Sequence, residues 1–389
     1  MVTPRSKKRK RKNVTGERNK FVQIPLKLVT EILGRLPVKS VARCLLVSKT
    51  WAKLISSKRF IKSFPFGSST SQPRVLVAFI DIDRRKKQQD WYLFSPSSSS
   101  TSFMSCLTFP LLDPEREYNA HYVNGLISLG YGQEQQFITN PSAGKIIHLP
   151  SVKIRTSLDE QIVRSFFGYD SVHDQYKVLC LKEKPQISTK HQVHTLGAKK
   201  KPWRAIQKCR IQKCRIRHRT FSNRHVCIDG VVYYVAYTGA DFSQLSLMRF
   251  HLKSVSVNLF TSLPPGIGPL HFVTLINYKG KVALSAKTST YKYEVWIVDQ
   301  DAVWSKKSFS IEPWKDLIQL SFHITGTIRT GEFVLAPRHY SEGFSVIYYN
   351  PDTNSFRNTK VEVNEDYEFK RRGTRAIVFS DYVESVRLL

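Results

Sequence analysis

The chain has 389 residues, with 61 Lys/Arg against 30 Asp/Glu (net charge +31), and is 41% hydrophobic and 12% aromatic. That length allows two or three domains and that apolar content a substantial core, which excludes a broadly disordered chain. No apolar run approaches the ~20 residues of a bilayer span or follows the basic N-terminus as a signal peptide would, and six irregularly spaced cysteines read as free thiols in a reducing compartment.

The charge is local. Residues 1–20 carry nine Lys/Arg against Glu17 alone, and residues 184–225 carry thirteen with no carboxylate, so two runs hold two thirds of the excess. Such charge belongs to segments and not to one face of a folded domain.

Residues 1–20 read as a disordered polar tail. Within it Lys7, Lys8, Arg9, Lys10, Arg11 and Lys12 are consecutive cations, the pattern of a nuclear import signal or a nucleic-acid patch. The plainer reading is a solvated tail with no partner. A tail without aromatics for base stacking favours import. The nucleus is the expected compartment, with the cytoplasm as the second.

Residues 21–64 form a helical module. Apolar residues recur at helical spacing in three bursts: Leu26, Val29, Ile32, Leu33 and Leu36; Val41, Leu45 and Leu46; Trp51, Leu54 and Ile55. Pro25 suits a first helical turn, Gly34 weakens the end of the first helix, and Pro37 stops it after Leu36. Ser40 and Ser48 are placed to cap the second and third bursts. Three short helices in about 40 residues cannot bury this many large apolar side chains against one another. The module needs an outside surface to cover it.

A linker at 65–73, polar over Ser68–Gln72 between Pro65 and Pro73, precedes a change to period 2. RVLVAFIDID at 74–83 and WYLFSP at 91–96 read as a hairpin, and Ser97–Ser102 as a polar loop. Strand–turn–strand units then recur: NGLISL with QFITNPSAGKIIHLP, FFGYDSVHDQYKVLCL, CIDGVVYYVAY with LMRFHLKSVSVNLF, INYKGKVALSA with YEVWIVD and VWSKKSFSI, and TGEFVLAP with FSVIYYNPDTNSFRNTKVEV. Gly230, Gly280 and Gly331 are spaced 50 and 51 residues apart. A period near 50 built of three or four short strands is the mark of propeller blades. The expected architecture is therefore a small all-α N-terminal module followed by an all-β, propeller-like domain over 74–389, with a basic loop insertion at about 184–225 and the blade number open. In that insertion Ile206–Arg210 and Ile211–Arg215 repeat IQKCR, and Trp203 is expected to close the preceding strand. The insertion reads as a small duplication in a loop, against an RNA-binding or acid-binding site built on its cations and Trp203.

Two strings of residues carry family resemblances. Ile24-Pro25, Leu28, Glu31-Ile32-Leu33, Arg35-Leu36-Pro37, Lys39-Ser40, Arg43, Val47-Ser48-Lys49 and Trp51 resemble, in order, an F-box of the form common in plants. This resemblance implies docking on a Skp-type adaptor and, through it, on the cullin and RING subunits of a ubiquitin ligase. Pro25, Leu28, Ile32, Leu33, Leu36, Pro37, Val41, Val47 and Trp51 are the implied adaptor-binding residues, with packing inside the module as the plain alternative for each. Cys44-Leu45-Leu46 depart from the Phe-Arg-Cys of many relatives. Strings such as Val123-Asn124-Gly125-Leu126-Ile127, Phe167-Gly168-Tyr169-Asp170 and Tyr348-Tyr349-Asn350-Pro351 resemble the plant F-box-associated domain, a kelch-like module that usually recognises substrates.

No motif for intrinsic chemistry stands out. Cys209, Cys214, His218 and His225 lack the spacing of a zinc finger, and the second cysteine arises from the repeat. The other histidines are scattered singly, and neither phosphate-loop pattern is present. No catalytic residue, metal or cofactor is expected. The chain reads as a non-catalytic substrate receptor of a Skp–cullin–F-box ubiquitin ligase, with an unknown target and no membrane partner. The rival is a basic nuclear protein that binds nucleic acid.

Overall fold

The computed structural model describes residues 24–65, 74–97, 99–111, 120–131, 135–151, 162–184, 187–198, 203–206, 218–267, 273–314, 322–363, 367, 369 and 374–388. Among these, helices α1 (Leu26–Arg35), α2 (Val38–Cys44), α3 (Lys49–Ile55) and α4 (Lys58–Ser63) precede 24 strands. Four helices form where three apolar bursts are read. The fourth is short and capped by Ser57, whose Oγ accepts the Phe60 N–H at 3.2 Å. Ser48 caps α3 as expected, accepting the Trp51 N–H at 3.1 Å. Ser40 does not cap α2. It lies inside that helix, because Pro37 already stands at the cap position and its carbonyl receives the Ser40 and Val41 N–H groups.

The strands form six blades of four. The first three strands, β1 (Arg74–Asp83), β2 (Gln88–Pro96) and β3 (Thr101–Pro110), belong to blade 1. Blade 2 holds β4 (Ala120–Val123), β5 (Leu126–Tyr131), β6 (Gln135–Asn140) and β7 (Lys145–His148). Blade 3 holds β8 (Ile162–Asp170), β9 (Gln175–Lys184), β10 (Ile187–Thr195) and β11 (Arg204–Ala205). Blade 4 holds β12 (Arg219–Ile228), β13 (Val231–Thr238), β14 (Gln244–His251) and β15 (Ser256–Ser262). Blade 5 holds β16 (Val273–Tyr278), β17 (Lys281–Lys287), β18 (Lys292–Val298) and β19 (Trp304–Ser310). Blade 6 holds β20 (Phe322–Thr327), β21 (Phe333–Pro337), β22 (Ser345–Asn350) and β23 (Ser355–Lys360). The last strand, β24 (Arg375–Tyr382), returns to pair with β1 and becomes the innermost strand of blade 1, with Val77 opposite Val378 and Phe79 opposite Ala376. The innermost strands β4, β8, β12, β16, β20 and β24 neighbour one another around a complete ring. The propeller closes.

Local chemistry explains the repeat. Asn124-Gly125, Asp229-Gly230 and Lys279-Gly280 each join an innermost strand to its neighbour, with φ of 46° and 91°, 46° and 78°, and 51° and 80°. Two consecutive positive φ values give the two-residue turn whose twist matches a hairpin, and glycine adopts the second without strain. Packing explains the apolar run at 75–80. Val75, Val77 and Phe79 enter one core cluster, and Leu76, Ala78 and Ile80 another, because a blade is covered on both faces.

Residues 184–225 are not one loop. β10 pairs along β9, β11 pairs with β10, and β12 opens blade 4, so blade strands carry part of the charge. The repeat beyond Ile206 lies outside the described residues, as do the tail at 1–20 and the linker over 66–73. Trp203 does not close the preceding strand: β10 ends at Thr195, and Trp203 leads into β11, its Nε1 donating to the Pro150 carbonyl at 2.9 Å. β3 takes in Thr101 and Ser102, which the sequence places in a loop.

Candidate functional site

The helical module presents apolar side chains outward. Leu28 and Ile32, one turn apart on α1, are exposed, as are Ile24 and Leu26 beside them. Val47 and Leu46 project from the turn between α2 and α3, Leu46 with 90% of its surface free. Pro25 and Pro37, at the starts of α1 and α2, are exposed as well. Leu36 and Trp51 are half-buried against the module's core. Leu33 and Val41 are inside it, at 1% and 0% exposure, and pack with Val29, Val38, Ile55 and Phe60. The nine sequence-derived residues therefore divide into five outer residues, the half-buried Leu36 and Trp51, and two core residues that hold the helices in place. Ile24, Leu26 and Leu46 join the outer set without having been singled out for docking. In the departure from Phe-Arg-Cys it is Leu45, partly buried against the helical core, that stands at the arginine position, while the exposed Leu46 stands at the cysteine.

One further residue completes that core. Val386, from the far end of the chain, is buried among these helices. The module thus seats against the end of the propeller where β24 finishes. Glu384 Oε2 accepts the Val38 N–H at 3.1 Å, and Lys39 Nζ donates to the Phe103 carbonyl at 3.3 Å.

A cavity of about 740 Å³ runs down the propeller axis. At the end away from the helices it is lined by Arg224, Arg338, Arg375 and His323, contributed by blades 4, 6 and 1. Arg224 Nη1 donates to the Val273 carbonyl at 2.9 Å, and the Arg338 carbonyl accepts the Ala376 N–H at 2.8 Å. Burial, with Arg338 and Arg224 nearby, pushes His323 down to about 3, so its imidazole is neutral at physiological pH. At the helix-side end Asp381 pairs with Arg329 at 3.5 Å. The histidines are not scattered singly in space. The rings of His121 of blade 2 and His225 of blade 4 lie 3.7 Å apart between centroids, tilted by 33°, and the Phe167 N–H donates to His225 Nε2 at 2.9 Å. Among the described residues no group of three or more His, Cys, Asp or Glu is placed to hold a metal ion, and Cys209 and Cys214 lie outside them. Burial pushes the Cys227 thiol up to about 11, which leaves it protonated and a poor nucleophile.

Comparison with known proteins matches residues 21–63 to the F-box domain and residues 74–383 to the F-box associated beta propeller domain. The chain belongs to the plant F-box proteins. It is 52% identical to the F-box protein At4g11590 of Arabidopsis thaliana, over 97% of this chain and 95% of that one. It is also 48% identical to the putative F-box protein At5g15660 of the same plant (97% and 86% covered), and 39% identical to the putative F-box protein At1g31000 (98% and 99%). In this F-box protein the exposed face of α1 and the α2–α3 turn is thus the outer surface of the F-box. F-box domains generally bind Skp-type adaptors and the accompanying propeller binds targets, an architecture typical of non-catalytic adaptors.

Proposed function

We propose that this F-box protein is the substrate-receptor subunit of a Skp–cullin–F-box ubiquitin ligase. The observation that carries the proposal is the outer F-box face. Leu28, Ile32, Leu46 and Val47 stay exposed although the module's own core is complete, which is the surface an adaptor would cover. The far mouth of the propeller, turned away from the helices, is where a target would be held. Catalytic gain then comes from proximity: a held target presents its lysines to the ligase's charged E2 enzyme at a high effective concentration. This chain contributes no covalent chemistry in that scheme. The basic run Lys7–Lys12 directs import to the nucleus. A reporter carrying residues 1–20 accumulates there, and even distribution would remove that part.

The test is capture of a Skp-type adaptor by the purified protein, at low salt and at about 0.3 M salt. Capture that persists at high salt is the behaviour of an apolar interface and is the expected result. Capture that fails or vanishes with salt would favour the second reading, nucleic-acid binding through the basic runs, for which the net charge of +31 speaks.

A further inference from the structure

We propose that residues 383–388 act as a strap that locks the F-box onto the propeller in one orientation. After β24, residues 383–386 turn alternately to the propeller and to the helices, before a turn at 387–388 brings Leu388 back against the propeller. On the propeller side, the Val383 N–H donates to Tyr122 Oη at 2.8 Å. The Ser385 and Arg387 carbonyls both accept from Asn140 Nδ2, each at 2.6 Å. The Arg387 guanidinium pairs with the Asp174 carboxylate and lies over the Tyr169 and Tyr176 rings, 5.3 Å from each centroid. Gly125 brings its backbone against Ser385 so closely that a Cβ there would collide with it. On the other side, Val386 belongs to the F-box, and Glu384 bridges α2 to the start of β1. The Glu384 carboxylate accepts the Val38 N–H and faces Arg74 at 3.6 Å, while Val386 fills the helical core at 2% exposure.

The two faces of the strap serve different domains. The propeller face is fixed by hydrogen bonds to blades 2 and 3. The F-box face supplies a core residue and a charge-assisted hydrogen bond to α2. Besides the covalent connection at 66–73 and the Lys39 contact with Phe103, this segment ties the F-box to the propeller at a point distant in sequence. Resting on the receptor reading, such a lock fixes the distance from adaptor to target mouth, which a single covalent connection would leave variable.

The experiment places a site-specific protease sequence within residues 66–73 of the full chain, cuts it, and asks whether the F-box fragment still elutes with the propeller. The uncut geometry predicts retention in the wild type. Glu384→Ala with Val386→Asp should release most of the fragment while the propeller's own melting stays unchanged. Release from the wild type overturns the proposal, and so does full retention in the double variant. Should Val386→Asp disturb the propeller's melting, Val386→Ala is read instead, and retention equal to wild type again overturns the strap. No adaptor takes part in this measurement, so failure of the strap and failure of the receptor reading are told apart.

Discussion

Lys177 Nζ lies 2.9 Å from Asp170 Oδ2 inside blade 3, with both side chains buried, and also donates to the Leu252 carbonyl of blade 4 at 2.6 Å. The pair ties the β8–β9 hairpin of blade 3 to the end of β14 in blade 4. Removing one partner of a buried pair leaves the other uncompensated, so Lys177→Met should destabilise the propeller by about 3–5 kcal/mol in chemical denaturation. Burial raises the Asp170 pKa, but hydrogen bonds from His173 and Lys177 outweigh it and bring it down to about 2. A depressed carboxylate stabilises the fold above its unfolded value near 3.8 and loses that contribution as pH falls toward 2. Asp170→Asn should therefore flatten the acid limb of the stability curve between about pH 4 and pH 2. An unchanged limb would mean that this pair does not govern it.

The F-box offers a matched comparison between neighbouring turns of one helix. Leu33 is in the core and Leu28 on the surface. Leu33→Ala should cost about 2–5 kcal/mol of F-box stability through lost burial and a residual cavity. Leu28→Ala should stay within about 0.5 kcal/mol in melting, as exposed substitutions do, yet lower adaptor capture. Equal effects of the two on melting would contradict the assignment of an outer face.

These two leucines also mark where the sequence stops being legible. Helical spacing picks out Leu33, and the F-box resemblance adds Leu28. Neither says which is turned inward, because the short helices are apolar on more than one side. The propeller's hairpins were legible where a two-residue Asn-Gly, Asp-Gly or Lys-Gly turn sets the register, as at Asn124-Gly125. The pairing of β24 with β1 was not, since no local signal links Val77 to Val378. α4 was missed because Phe60 and Ile61 alone make no periodic pattern, and β3 because TSFMSCLTFP mixes polar and apolar residues irregularly. Likewise, the contact of His121 with His225 is a product of blade closure, and single residues about a hundred positions apart carry no sign of it.

Close packing between blades gives a steric prediction. Gly168 in β8 faces blade 4, and a Cβ added there would meet Val232 Cγ2 at 2.6 Å and Leu252 Cδ1 at 2.8 Å. Both neighbours are fully buried, so neither can retreat into solvent. Gly168→Ala should destabilise the propeller by about 1–3 kcal/mol, the usual cost of overpacking, visible as a lower denaturation midpoint with an unchanged slope. A neutral outcome would show that blades 3 and 4 can separate at no cost.

His323 gives a second acid response, separable from that of Asp170. Burial, with Arg338 and then Arg224 and Lys287 around it, holds its folded pKa at about 3, against 6.5 for an ordinary histidine. Between those values the unfolded chain binds a proton that the folded one does not, so stability falls as pH drops from about 6.5 toward 3. One proton of difference is worth up to about 1.4 kcal/mol per pH unit. His323→Gln keeps a polar side chain of similar reach and cannot titrate. Stability measured by denaturant midpoint at pH 7, 6, 5 and 4 should then fall less steeply in the variant than in the wild type. The window above pH 4 isolates His323 from Asp170, whose response lies below it. Parallel curves over pH 7 to 4 would mean that the His323 imidazole accepts a proton in the folded protein, and with it that the far mouth of the channel tolerates one more positive charge than its geometry indicates.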